Sequence, residues 1–241
     1  MSLTNVKHIF LKELRSFFNS PVAYIVIVVF LVILGWFFTS NLFIANVSSL
    51  RTLFEMTPFL LLFFAPAITM RLISEEKKSG TLELLITRPV RESEIIFGKF
   101  LAAWALYFFT LLPTLIYFVT VSMIGKLDIG VVLGGYAGLF FMGAVFLSVS
   151  VFGSSITENQ VVAFIVSFLI VFALFMLDKV LFYMGGLGGV VVSVFQYLSI
   201  DYHFSNIERG VVDTRDIVYY VSAVTIALSA GTTVLQRRRW V

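Results

Sequence analysis

The sequence predicts an all-α integral membrane protein, six transmembrane helices in a single domain over residues 1–241, and three observations carry that prediction. Hydrophobic residues make up 59% of the chain and charged residues only 13%, with a mean hydropathy of +1.00. An ordinary soluble domain is about 25% charged and about 45–50% apolar. Apolar runs at 22–44, 54–73, 97–124, 131–152 and 161–177, with a further one at 217–235, match the roughly 20 residues that a helix needs to cross a hydrocarbon core about 30 Å thick. Few charges fall inside these runs, and most lie in the segments between them. Lipid offers the backbone no hydrogen-bond partner, so each span must be helical.

Ahead of the first span, residues 1–20 read as an amphipathic helix lying along the membrane interface. Val6, Phe10, Leu14 and Phe17 recur at helical spacing, while Asn5, His8, Lys12, Arg15 and Asn19 fall on another face. A simple topogenic anchor is the alternative reading, and one helix can serve both ends. Asn19-Ser20-Pro21 ends it. The first apolar run is too long for a cleavable signal and lacks a small-residue cleavage site, so it is expected to stay in the mature protein. Pro58, Pro66 and Pro113 fall inside spans two and three, where kinks or local unwinding are expected.

Residues 180–200 carry no charge and are long enough for a seventh crossing. Gly185, Gly186, Gly188 and Gly189 weaken a continuous helix there, by up to about 1 kcal/mol each. The positive-inside rule also opposes it. With six spans, one side holds Lys7, Lys12, Arg15, Arg71, Lys77, Lys78, Arg88, Arg91, Lys99 and Arg237 to Arg239, which is 12 of the 17 basic residues. That side is expected to be the cytoplasm, with both termini in it. The 180–200 run then becomes a re-entrant helical pair within an extracytoplasmic segment, 180–216.

The most informative stretch outside the spans is 71–97, RLISEEKKSGTLELLITRPVRESEIIF. Glu75 to Lys78 extend span two as a charged helix end, and Ser79-Gly80 breaks it. Thr81 caps a new short helix with Glu83 in its favourable first turn. Leu82, Leu84, Leu85 and Ile86 give that helix apolar anchors, and Pro89 stops it. An exposed helix with uncovered apolar residues fits a groove on a partner protein. The alternative is a loop lying flat on lipid headgroups.

The string Glu76-x-x-x-Gly80-Thr81-x-Glu83-x-Leu85, with Pro89 and the Gly98-Lys99 start of span three, resembles the loop of type-2 ABC-transporter permeases. The likeness extends over essentially the whole chain. It implies a six-span permease subunit, working as a homodimer or with a related chain, whose coupling helix docks into a separate ATP-binding subunit. Glu75, Glu76, Gly80, Thr81, Glu83, Leu84, Leu85 and Pro89 would make that contact. ATP and magnesium would then sit on the partner, with no cofactor in this chain, and the location would be the inner membrane of a cell.

A narrower likeness lies in residues 197–216, YLSIDYHFSNIERGVVDTRD, which are similar to permeases associated with bacterial gliding motility. It implies that Asp201, His203, Glu208, Arg209, Arg215 and Asp216 act in an extracytoplasmic gate or touch a membrane partner with an external domain. A solvated cap with weak surface ion pairs is the plainer reading of the same residues.

Other chemistries lack their residues. With no cysteine, disulfides and thiolate metal sites are excluded. A nucleotide-phosphate loop needs Gly-Lys-Ser/Thr, but Gly98-Lys99 and Gly125-Lys126 are followed by Phe100 and Leu127. His8 and His203 fall on opposite sides of the membrane, share no metal and read as surface residues. Glu55, Asp178 and Glu158 lie near span ends, not at the midplane where an ion-coupled carrier places its acids; Asp178 and Lys179 read as a helix-end pair. Gly134 and Gly138 have the spacing of close helix packing. Nucleic acid is not expected as a partner. Besides an ATP-driven exporter, a non-transporting membrane platform and an ion-coupled carrier remain open on sequence alone.

Overall fold

The computed structural model describes residues 2–44, 49–82, 90–125, 127–183, 189–211 and 213–237, and every regular element among them is helical. Helix α1 (Leu3–Asn19) meets α2 (Pro21–Phe43) at Ser20, whose extended backbone and side chain cap the second helix; its Oγ accepts the Val22 N–H at 3.3 Å. Helix α3 spans Arg51–Lys78. Helix α4 (Glu92–Leu111) passes through a 3₁₀ turn at Leu112–Thr114 into α5 (Leu115–Ile124). Then come α6 (Ile129–Ile156), α7 (Gln160–Tyr183), α8 (Gly189–Leu198), α9 (Ile200–Glu208) and α10 (Thr214–Arg237).

Among the described residues, six stretches are long and apolar enough to cross a membrane: α2, α3, α4 with α5, α6, α7 up to Lys179, and α10. Their outer surfaces carry exposed Val28, Val32 and Trp36 on α2, Ile165 and Leu169 on α7, and Val221 and Ile226 on α10. A surface of that kind needs lipid around it. Helix α8 has ten residues, about 15 Å of rise, which is half of a hydrocarbon core. It packs against α7 and α9.

The prolines behave differently from one another. Helix α3 is helical through Pro58 and Pro66, so the unwinding expected there is absent; both are buried, and α6 and α7 pack along this helix. Pro113 does interrupt span three. It sits in the first turn of the 3₁₀ segment, where a missing N–H is least costly.

Helix α6 is the centre of the bundle and touches α3, α4, α7, α9 and α10. Its small residues let these neighbours close in. A Cβ on Gly135 would fall 2.4 Å from the Phe54 ring, and one on Gly143 would fall 2.1 Å from that of Tyr107. Gly134 and Gly138, at the spacing that signals close packing, face α9, with the Ile207 carbonyl oxygen 2.4 Å from a Cβ at 134. Polar groups bind where backbones approach: Tyr107 donates to the Leu139 carbonyl at 3.1 Å, and Ser154 donates to that of Met70 at 3.1 Å. Near its C-terminus, α10 brings Gly231 beside Ile96 and Ser155, so it ends on the face that carries α1. That face is the N-terminal face below, and its opposite the far face.

Gly134→Val is expected to destabilise the protein by about 1–3 kcal/mol, because the obstacle is backbone and cannot yield. Gly231→Ala, whose new methyl meets nothing closer than 3.6 Å, is expected to be neutral or stabilising. Thermal unfolding in detergent distinguishes the two.

Candidate functional site

Polar side chains converge at the N-terminal face, where α3 ends and α4 begins. Lys99 is 1% exposed and lies between two carboxylates from different helices: Glu13 Oε1 of α1 at 2.8 Å and Glu76 Oε1 of α3 at 2.9 Å. Lys12 closes the cluster from outside, 3.5 Å from Glu13 and 3.3 Å from Glu76. Burial alone would lower the Lys12 pKa, but the Glu13 and Glu76 carboxylates outweigh it and hold the ammonium above its ordinary value. The lysine side of this pairing therefore keeps its charge up to that ordinary value and loses it only as pH climbs through the raised one. The second oxygen of Glu76 is buried and has no hydrogen-bond partner among the described residues.

Helix α1 is fastened to α4 at two further points. Glu94 accepts the Asn5 side-chain amide at 2.9 Å and the Ser2 backbone N–H. Gly98 lets the helices touch, since a Cβ there would stand 2.8 Å from Ile9. Val6 is buried, Phe10, Leu14 and Phe17 are half-buried, and Lys12 and Arg15 are exposed. Lys77, one residue on from Glu76, donates to the Ser155 carbonyl at the end of α6.

The segment that joins α3 to α4 thus leaves from one member of this cluster and returns just before another. Ser79 caps α3, and Gly80 takes a φ of +70°, a left-handed turn that only glycine adopts without strain. Thr81 Oγ1 lies 2.9 Å from Ser79 Oγ, and Thr81 with Leu82 opens a new helical turn. Glu75 is exposed and, among the described residues, is paired with Arg71 at 3.2 Å, one turn below. Glu83, Leu84, Leu85 and Pro89 lie outside the described residues.

The far face has its own polar arrangement. Asp178 and Lys179 do not form the helix-end pair expected of them. Lys179 reaches Asp201 of α9 at 2.9 Å and lies 4.7 Å above the Phe175 ring, while Asp178 accepts the Ser199 hydroxyl at 2.7 Å. Two neighbouring residues thus bind two points of the α8–α9 corner. His203 is not a surface residue either. It is 2% exposed, stacked on Tyr219, with Nδ1 2.6 Å from Asp216 Oδ1 and Nε2 3.1 Å from the Tyr197 carbonyl oxygen. Asp216 sits in the first turn of α10, so this contact ties α9 to span six, and its Oδ2 is buried without a partner among the described residues. Arg209 and Arg215 rim the adjoining cavity of about 350 Å³. Glu208 and Arg209 line a second one of about 550 Å³ beside Arg51 and Asp128.

Sequence reasoning missed Glu13 and Glu94 and read Lys99 only as a basic residue starting a span. A signal for Glu13 existed: at helical spacing it falls between Val6 and Phe17, on the apolar stripe. A carboxylate there requires a buried cation.

Fold and site together define a multi-pass α-helical membrane subunit with paired charges at both faces and no nucleotide-phosphate loop. The sequence model of the ABC-2 family transporter proteins matches residues 46–235, and the chain belongs to that family. Membership makes it the permease component of an ABC transporter, with membrane lipid and an ATP-binding cassette chain as partners. No curated protein matches it.

Lys99→Met is expected to destabilise the protein by about 3–5 kcal/mol, because it strands two largely buried carboxylates. Adding Glu13→Gln and Glu76→Gln should recover most of that loss in a thermal-unfolding series. A second expectation concerns pH. Burial pushes the Asp201 carboxyl above its ordinary 3.8, against the pull of Lys179. Burial also pushes Glu208 above 4.5, with repulsion from Glu55 adding to it. A raised carboxyl pKa favours folding most below the ordinary value, and the benefit is lost as pH rises through the raised value. Glu208→Gln should therefore weaken the fall in unfolding temperature as pH is raised above the ordinary carboxyl value.

Proposed function

We propose that this chain is the membrane half of an ATP-driven exporter. Two copies, or this chain and a related permease, form the translocation path, and separate ATP-binding subunits dock on the segment between α3 and α4. The observation that carries the reading is the buried Lys99 cluster. A plain connecting loop has no need of one. Here both stems of the connection are clamped to each other and to α1 through charges that are costly to separate. A push on the loop is then delivered to α1, α3 and α4 as one body, which is what rigid-body switching of spans requires.

In this reading the N-terminal face is cytoplasmic, in keeping with the 12 of 17 basic residues that the six-span sequence pattern assigns to one side. Glu75, Gly80, Thr81, Glu83, Leu84, Leu85 and Pro89 meet the ATP-binding partner, which holds ATP and magnesium, and Glu76 links that contact to the cluster. Helix α1 lies at the inner membrane surface. Helix α8 is a re-entrant element on the outer side. The His203–Asp216 and Lys179–Asp201 contacts, with Glu208, Arg209 and Arg215, form an outer gate or the seat of an external partner, the role that the likeness of this stretch to permeases associated with gliding motility implies.

The test is co-expression with the ATP-binding subunit. Burying one leucine is worth about 1.5–3 kcal/mol, so Glu83→Lys with Leu85→Asp should weaken co-purification roughly ten- to hundredfold and lower ATP turnover. Unchanged assembly and turnover in a folded variant would refute the coupling role. Stable assembly whose ATP turnover no substrate stimulates would favour a non-transporting platform.

A further inference from the structure

A groove of about 260 Å³ runs up the N-terminal face between α1 and α3. We propose that it seats one phospholipid whose headgroup carries a primary ammonium beyond its phosphate. The inference needs only the membrane location; it shares Glu75 with the proposed ATPase contact, and its test is made without that partner.

The argument is the order of the lining groups along α3. At its deep end the groove is walled by Phe17, Val22, Ala67 and Ile68, all apolar. One turn outward on α3 stands Arg71, and one turn beyond it stands Glu75; Lys12 lines the groove from α1, beside Glu13 and Glu76. Four residues of helix advance about 6 Å. Along α3 the groove therefore offers apolar surface, then a cation, then a carboxylate, in the outward direction. A phospholipid has the same polarity: chains, phosphate, then the terminal group.

Arg71 and Glu75 are open to a ligand, whereas Lys12 already bridges Glu13 and Glu76. Lys12, Arg71 and Glu75 keep 59%, 46% and 51% of their side-chain surface exposed. The Arg71–Glu75 contact is a single i,i+4 pair at the surface, which contributes little and leaves most guanidinium donors and one carboxylate oxygen for another ligand. The two signs choose the headgroup. A glycerol headgroup offers Glu75 no cation, and a choline offers one without N–H donors, whereas an ethanolamine ammonium brings three. A basic segment of a soluble protein would satisfy Glu75 but would leave Arg71 and the apolar deep wall without complements.

The test uses the purified full-length chain with palmitoyl-oleoyl phosphatidylethanolamine, phosphatidylcholine and phosphatidylglycerol, with retained lipid counted by native mass spectrometry. The wild type is expected to keep one phosphatidylethanolamine, preferred over phosphatidylcholine by about two- to fivefold, the worth of one exposed charge contact. Glu75→Gln should abolish that preference while lipid is still retained, and Arg71→Gln should lower retention of both lipids. Both side chains are half-exposed, so a folded protein is expected in each case. Ala67→Trp, which fills the deep end, should expel the lipid. Equal retention of the two zwitterionic lipids by the wild type would overturn the proposal, as would a preference that survives Glu75→Gln or stronger retention of phosphatidylglycerol. A Glu75-dependent association with a lysine-rich peptide, in place of any lipid preference, would assign the groove to a protein partner instead.

Discussion

Close approach along α6 is the constraint on which the rest of the bundle depends. In lipid there is little hydrophobic gain in bringing one apolar helix against another, so the energy of association comes from contact and from buried polar groups. Gly135 and Gly143 admit the rings of Phe54 and Tyr107 to the helix backbone, and Gly134 brings the backbone of α9 within reach. Nearness then makes the serines useful. Ser154 bonds into α3, and Ser167 of α7 donates to the Ser150 carbonyl at 3.1 Å. The helices at the rim, α2 and the outer sides of α7 and α10, have fewer such contacts and give their apolar surface to lipid instead.

At the two faces charge replaces close packing as the means of attachment. The Lys99 cluster draws on three helices, and its central ammonium is almost completely removed from water. Such a cluster is a poor way to add stability, since desolvating the ions offsets most of their attraction. Its value lies in geometry: it has few alternative arrangements, so the helices it joins keep their register when one of them moves. The far face uses a lighter version, in which Lys179, Asp178 and His203 each fix one point of the α8–α9 corner.

The spans, the break at Ser79-Gly80 and the packing role of Gly134 and Gly138 could be read from the sequence, because each depends on local composition and spacing. So could the helical character of residues 3–19. What could not be read was which polar residues meet. Glu13 and Lys99 are far apart in the chain, and no periodicity links a position on a surface helix to one inside a span. His203 looked like a surface residue because its neighbours are polar; its burial comes from Tyr219 and Asp216 in another helix. The continuity of α3 through Pro58 and Pro66 was equally illegible, since it rests on the helices packed beside it.

The attachment of α1 to α4 also bears on the order in which the protein is made. Glu13 leaves the ribosome 86 residues before Lys99, which at about 5–20 residues per second is an interval of about 4–17 s. Throughout that time Lys99 is absent, and Lys12, the neighbour of Glu13 in sequence, is the one of its two cationic partners already made. A helix that carries an uncompensated acid on its apolar stripe is held at the membrane surface and does not sink into it. The arrival of Gly98 and Lys99 at the head of span three ends the wait, supplying at once the gap that α1 fills and the charge that Glu13 lacks.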